Sequence, residues 1–529
     1  MKLARLRRWS QLVFLALFLF LLIRTEFRGS FAATKGDIRL SYPVSIFLEA
    51  DPLAAVTTAL STGALYKGLL WSLVILIPTL FLGRFFCGWV CPLGTLHHFF
   101  SSLKSEKKRG KQRLDSNRWK RWQNLKYYIL IAVLVAAAFG SGLAGILDPI
   151  PLIVRSLALS VLPAVNYALN ATFDISVLSF KQPYFRQGFF FGLLLVAIIA
   201  LNFRITRFWC RALCPLGALL GLASRWSILG IEKRASQCGD CNRCLLHCQG
   251  GDDPIPGATW RKAECHLCFN CVADCPEAGG IRFRFFPTGT ATAVAPDLQR
   301  RKAVTGLVAG VAALPLFRST TGLKSEHDSR LVRPPGALDE KSFLERCIRC
   351  GQCMKVCPNN ALHPTLAQAG VEGLWTPVLI PRVGYCEASC TLCGQVCPTG
   401  AIWEVTGAEK GWSVEGNGGD AKPVRIGTAF YDHGRCLPWA MARECIVCEE
   451  WCPTSPKAIY LVPAEVKDSE GSPKRVRQPY VNPELCVGCG ACEYACPVLD
   501  RPAIYVTSIG ESRSRNNQFL LKRPKKGKA

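Results

Sequence analysis

No Cys-x-x-Cys-His occurs anywhere in the 529 residues, so covalent c-type haem is not encoded. A convincing glycine-rich dinucleotide fingerprint is also missing, which removes the usual nucleotide-cofactor cradle. Histidine is sparse, at seven residues, and His97, His98, His247 and His266, all close to cysteines, read as surface or supporting groups rather than metal ligands. Acids are few: 38 Asp and Glu stand against 64 Lys and Arg, a formal net charge of +26. Such an excess can mark a nucleic-acid binder. Here, however, the basic residues gather in short segments beside apolar stretches, the pattern that membrane topology demands, and no nucleic-acid partner is expected. Half the composition is apolar, in runs too long for a wholly soluble chain to hide.

Against these absences stand 28 cysteines, recurring at gaps of two and three residues with proline after the last of nearly every group. Disulfides do not need such gaps; iron–sulfur ligation does. Cys238, Cys241, Cys244 and Cys248 are followed by Cys265, Cys268, Cys271, Cys275 and Pro276, the spacing of a bacterial two-cluster ferredoxin. Three thiolates on one tight loop reach three irons of a cubane, while the fourth, turned away before proline, reaches the neighbouring cluster. Crossed ligation is therefore expected: Cys238, Cys241, Cys244 and Cys275 on one cluster, and Cys265, Cys268, Cys271 and Cys248 on the other.

Four more groups follow: Cys347, Cys350, Cys353, Cys357; Cys386, Cys390, Cys393, Cys397; Cys436, Cys445, Cys448, Cys452; and Cys486, Cys489, Cys492, Cys496. Zinc needs two separated knuckles per ion, whereas each of these groups compresses its cysteines onto one loop. The total is 24 cysteines for six 4Fe-4S clusters. Eight residues separate Cys436 from Cys445, which makes it the least regular ligand. The regular groups are first and last, which hints at nested pairing of first with fourth and second with third; adjacent pairing stays open.

The first 225 residues read as a membrane α-helical domain with four spans, at Trp9–Ile23, Gly68–Gly83, Tyr127–Leu147 and Gly188–Phe203. The first is preceded by basic residues and is followed by no small-residue cleavage site, so it reads as a retained anchor. The loop Ser101–Lys126 carries ten basic residues against two acids, whereas Arg24–Leu65 and Asp148–Gln187 are sparsely charged. The basic loop and the amino terminus are thus expected in the cytoplasm. RFFCGWVCPLGTL (Arg84–Leu96) parallels RFWCRALCPLGAL (Arg207–Leu219), and upstream of each copy lies an Asp-Pro pair, at Asp51 and Asp148. Two parallel two-helix repeats would bring Cys87, Cys91, Cys210 and Cys214 together and leave both aspartates near the outer face. The cysteines could be packing residues, redox thiols or an extra metal centre. The aspartates could merely start helices or could accept protons from a quinol.

Between the cysteine-rich regions, RRKAVTGLVAGVAALPLF (Arg300–Phe317) reads like an internal twin-arginine signal, although Lys302-Ala303-Val304 departs from the usual pattern. Crossing the membrane here would export the four downstream clusters already assembled; a linker hairpin would leave them inside. The expected order is a four-span domain (1–225), a cytoplasmic α+β two-cluster ferredoxin-like module (226–295), the apolar linker (296–335) and an exported, periplasmic four-cluster domain (336–529) of the same α+β kind.

These residues carry a family likeness. Residues 1 to about 290, with CGWVCP, CRALCP and the trailing two-cluster module, resemble the NapH family of membrane ferredoxin subunits. The rest, with RPPGALDEKSFLERCIRCGQC (Arg333–Cys353), CLPW (Cys436–Trp439) and the twin-arginine-like segment, resembles the exported NapG and MauM ferredoxins. The resemblance implies a natural fusion acting in the bacterial cytoplasmic membrane. It would be a quinol-dehydrogenase-like module served by the lipid-dissolved quinone pool, passing electrons to a periplasmic cytochrome c or oxidoreductase. It also implies an alternative, a maturation factor that supplies electrons for the biogenesis of a periplasmic enzyme.

Overall fold

The computed structural model describes residues 2–514 except 28–30, 32–38, 41–42, 105–109, 174–182, 234–240, 242, 252–258, 277–279, 287–291, 294–298, 323–327, 367, 413–422 and 468–469. The amino-terminal half is a helical bundle whose two repeats share one order of elements. In each, a helix (Lys2–Arg24; Leu125–Ala138) precedes an Asp-Pro pair that opens the next helix (Pro52–Thr62; Pro149–Ser156). Asp51 accepts from the Leu53 N–H at 2.9 Å and Asp148 from Ile150 at 3.4 Å, while proline fills the first helical position, where a missing N–H costs nothing. An apolar helix follows (Leu73–Leu82; Gly188–Leu201), then a five-residue helix holding one cysteine (Phe85–Trp89; Phe208–Ala212) and a helix begun after a second (Pro92–Lys104; Pro215–Ala223). The duplication therefore spans five helical elements, not only the cysteine motif.

Two expectations about the spans change. Helix Leu125–Ala138 ends before Gly140, whose positive φ of 80° breaks it, so 127–147 is not one continuous helix. Beyond Asp148, where a loop is expected, the chain stays helical through Pro149–Ser156, a π-helical stretch Leu157–Val161 and Leu162–Phe173. The Asp-Pro start and the apolar run that follows it explain this. Among the described residues, Leu3–Arg24 and Pro149–Thr172 are long and apolar enough to cross a membrane, while Lys67–Leu82 and Gly188–Leu201 are shorter apolar helices.

The cysteine-rich units dock on opposite ends of this bundle. At the start of Leu125–Ala138, Lys126 and Tyr127 both donate to the Glu264 carboxylate of the two-cluster module. Past its end, a Cβ on Gly145 would collide with the Ile348 carbonyl, and Arg349 donates to the Gly142 carbonyl. The 14 residues between span about 21 Å at 1.5 Å per residue. Helix Arg300–Gly322 lies alongside, with Gly306 against Tyr128 and Gly310 against Ala132 and Val135. Small residues four apart let the two backbones approach, and the matched order makes the helices parallel. This helix thus carries the chain from one end of the bundle to the other.

In the two-cluster module, strand Leu229–Lys233 pairs antiparallel with Ile281–Phe285 and closes the unit on itself. In the carboxyl-terminal domain, Thr428–Tyr431 pairs antiparallel with Ile504–Thr507 in the same way, and Ile459–Lys467 with Pro473–Val481 forms a long hairpin. Arg333 and Arg513 both bind the Glu340 carboxylate and tie the start of this domain to its end. Burial alone would raise the Glu340 pKa, but the two guanidiniums hold it down at about 2.

Candidate iron-sulfur chain

The carboxyl-terminal cysteines converge in four sets. The thiols of Cys347, Cys350 and Cys353 share their electrostatic surroundings with Cys397, and those of Cys390, Cys393 and Cys386 with Cys357. Cys436, Cys445 and Cys448 meet Cys496, and Cys486, Cys489 and Cys492 meet Cys452. Each set is three thiols from one loop and a fourth from the neighbouring group. Pairing is therefore adjacent and crossed, first with second and third with fourth, and the nested arrangement hinted at by spacing is not formed. The reason is local: each Cys-Pro turn points its last thiol toward the nearest loop in the chain. Cys436, the irregular candidate, sits with its set because helix Leu437–Ala440 folds the intervening residues back.

One pocket is lined by Cys452, Cys486, Cys489 and Cys492, and another by Cys244, Cys248, Cys265, Cys268 and Cys271. The second brings Cys248 to Cys265, Cys268 and Cys271, as crossed ligation requires; Cys241 and Cys275 are described, while Cys238 lies outside the described residues. No three described His, Cys, Asp or Glu side chains close tightly enough to hold a single metal ion. These sets fit multi-iron clusters better than zinc.

The loops also supply hydrogen bonds to sulfur that sequence spacing does not reveal. Backbone N–H groups of Ala361, Ile402, Ala429 and Ala503 donate to Cys357, Cys397, Cys486 and Cys496 at 3.3–3.4 Å. The Lys410 ammonium lies 3.6 Å from Cys386 Sγ, and the Tyr431 hydroxyl 3.1 Å from Cys448 Sγ. Donors and positive charge at sulfur stabilise the reduced cluster and raise its potential. Neighbouring sets also touch: the Cys386 N–H donates to the Cys489 carbonyl at 2.8 Å, joining the two pairs of sets.

Within the bundle the two repeats do converge. Cys87, Cys91, Cys210 and Cys214, all buried and none in a disulfide, face one another closely enough to interact. Arg84 and Arg207, the first residues of the two quoted repeats, are fully buried beside them. The repeat displayed both arginines, but nothing in spacing marked them as functional. Asp51 and Asp148 meet as well, both buried and close enough to interact, with Oδ2 of each without a hydrogen-bond partner. Two carboxyls buried side by side can hold a proton between them. Asp148 is close enough to interact with Cys214, and helix Pro52–Thr62 runs on from Asp51 until Ser61 reaches the Glu345 carbonyl of the carboxyl-terminal domain. Each aspartate caps the start of its helix, and both are buried there within the bundle. Of the histidines, His247 bonds Asp274 at 2.7 Å and His98 contacts Arg7 at 3.3 Å, while His97 and His266 are buried.

An order emerges along the bundle. Gly88, between Cys87 and Cys91, presses on the His266 carbonyl of the module's second cysteine loop. The four bundle cysteines come next, then the aspartate pair, then Arg155, which donates to the Arg349 carbonyl at 2.9 Å and interacts with Cys347 and Cys350. Crossed sets of four thiols with donors to sulfur define a polyferredoxin, a carrier of electrons on 4Fe-4S clusters.

The family models agree. One described as a 4Fe-4S binding domain matches residues 65–112 and 187–231, another of the same description matches 343–363, and a 4Fe-4S dicluster domain matches 420–499. The methylamine utilization ferredoxin-type protein MauM of Paracoccus denitrificans is 35% identical over 209 residues, which cover 37% of this chain and 81% of that protein. The ferredoxin-type protein NapG of Escherichia coli is 34% identical over 181 residues, covering 34% of this chain and 71% of NapG. YccM of E. coli, whose name assigns it provisionally to electron transport, is 26% identical over 298 residues, 52% of this chain and 74% of its own length. No solved structure matches. The chain belongs to the MauM and NapG family of ferredoxin-type proteins, and it transfers electrons through 4Fe-4S clusters.

Proposed function

We propose that this chain conducts electrons through a bacterial cytoplasmic membrane, from a quinol oxidised within a NapH-like helical domain to a redox partner in the periplasm. Six 4Fe-4S clusters on the 24 loop cysteines carry the current, two on the cytoplasmic side and four outside. The observation that supports this most is the order of groups through the bundle, with cysteine sets docked at both ends and the aspartate pair between them. Helix Arg300–Gly322, parallel to Leu125–Ala138, fits a crossing segment that leads to an exported domain.

Oxidation of a quinol releases two electrons and two protons. Asp51 and Asp148, buried side by side, can accept these protons and pass them on singly while electrons leave through the clusters one at a time. The Asp51 and Asp148 backbone caps hold both carboxyls in register for that exchange.

The test is anaerobic reduction of the full-length protein in detergent by a menaquinol analogue, followed by cluster absorbance and EPR. Cluster reduction is expected. No reduction, together with a partner enzyme that stays immature in cells lacking this chain, would sink the respiratory reading in favour of a maturation role. Topology has its own check. A reporter active only outside the cytoplasm, fused at Ala529, should be active, and a stable but inactive fusion would place the second half inside.

A further inference from the structure

The family match to 65–112 and 187–231 leaves a puzzle, because each segment holds only two cysteines, too few for a cluster. The structure assigns a remedy: we propose that Cys87, Cys91, Cys210 and Cys214 together ligate one further iron–sulfur centre, shared between the repeats and lying between the two-cluster module and the aspartate pair. This goes beyond the quinol reading and does not depend on it.

Three observations carry the proposal. Each repeat gives half of the ligand set, and in each the second cysteine opens a helix: the Gly94 N–H donates to Cys91 Sγ at 3.5 Å and the Gly217 N–H to Cys214 Sγ at 3.1 Å. The sulfurs of an iron–sulfur centre accept hydrogen bonds of this kind.

Second, the site is braced by two buried cations placed crosswise. Arg84 of the first repeat lies 3.9 Å from Cys87 Sγ and packs against Gly217 of the second. Arg207 of the second repeat donates to the Cys87 carbonyl at 2.8 Å and packs against Gly94 of the first. Arg84 also reaches Glu264 at 3.7 Å, but Arg207 Nε and Nη2 are buried without a hydrogen-bond partner. A buried guanidinium needs an anionic counterpart. Four neutral thiols offer none, and four bare thiolates repel one another; an oxidised cluster with four thiolates carries about −2, which two arginines match.

Third, the place suits one-electron transfer. Besides the Gly88 contact, Trp89 Nε1 donates to the Leu267 carbonyl at 3.0 Å, so the site adjoins the Cys265–Cys268 loop directly. A dithiol couple exchanges electrons in pairs and would be a poor relay between one-electron clusters.

The measurement is iron and acid-labile sulfide per chain, with Mössbauer spectra, on full-length protein enriched in ⁵⁷Fe and purified anaerobically. The fourfold variant Cys87→Ser, Cys91→Ser, Cys210→Ser, Cys214→Ser should lose about four irons, or about two for a two-iron centre, with the other cluster signals intact. Arg207→Gln should retain the iron but shift one centre to a more negative midpoint potential, since a positive charge beside it is lost. Equal iron and identical spectra in wild type and fourfold variant would overturn the proposal. Should the variant not fold, wild-type protein with all six loop clusters filled and no iron beyond them would overturn it equally.

Discussion

The ferredoxin loops and the helical bundle both gather cysteines, by opposite means. In the loops, three ligands fall within seven to thirteen residues, as in Cys347–Cys353, and the fourth comes from the adjacent group. In the bundle, Cys87 and Cys210 are more than a hundred residues apart, and the site exists only once two repeats have packed. The contrast teaches that a local set announces its chemistry in spacing, whereas a composite set announces only a duplication. It also predicts different failure modes, since loss of one local thiol should cost one cluster and loss of bundle packing should cost the relay.

The largest expected effect tests the crossed pairing. Cys397→Ser should abolish the cluster held by Cys347, Cys350 and Cys353 or convert it to a three-iron form, leaving the cluster of Cys386, Cys390 and Cys393 intact. EPR of the reduced and oxidised protein distinguishes the two. Loss of the Cys386 cluster instead would mean that each loop keeps its own fourth ligand. Next in size is the aspartate pair. Asp51→Asn or Asp148→Asn should lower the rate of quinol-driven cluster reduction by about 10²-fold, and the double variant should be no worse than either single, because the pair acts as one proton carrier. Dithionite reduction should be unchanged in all three.

A smaller effect separates stability from conduction. Glu340 titrates at about 2 in the folded chain against an ordinary 4.5, so its ion pairs stabilise fully above pH 4.5 and lose their contribution as pH falls toward 2. Glu340→Gln should therefore cost on the order of 2–3 kcal/mol near neutral pH and almost nothing near pH 2. Chemical denaturation at several pH values reads this; a deficit independent of pH would mean that packing, not charge, is what Arg333 and Arg513 gain from Glu340.

How much of this was legible in sequence follows the same division. The 24 loop cysteines, the Cys248 crossing and the internal repeat are visible because they depend on spacing within a few residues. The Asp-Pro pairs were visible as a duplicated oddity, yet their meeting was not, since it needs two helix starts about a hundred residues apart to face each other inside the bundle. The helix after Asp148 escaped because its apolar run is interrupted near its start by Pro151 and Arg155. Arg84, Arg207, Lys410 and Tyr431 escaped because a charge or hydroxyl acquires its role from what it packs against, and nothing in spacing records that.

Lys410 makes the finest test of that last point. It is nearly fully buried, and its ammonium donates to the carbonyls of Glu387 and Cys390 at 2.6 and 2.7 Å while lying 3.6 Å from Cys386 Sγ. A fixed positive charge there stabilises the reduced, more negative state of the adjacent cluster over the oxidised one. Lys410→Met keeps much of the side-chain volume and removes the charge, so the potential of the Cys386 cluster should fall by on the order of 50 mV, about 1 kcal/mol for one electron, while the other clusters stay put. A redox titration followed by EPR resolves this. If all clusters shift together, Lys410 acts through the fold of the domain; if only one moves, a residue outside every cysteine motif sets the step at which electrons pass from one pair of sets to the next.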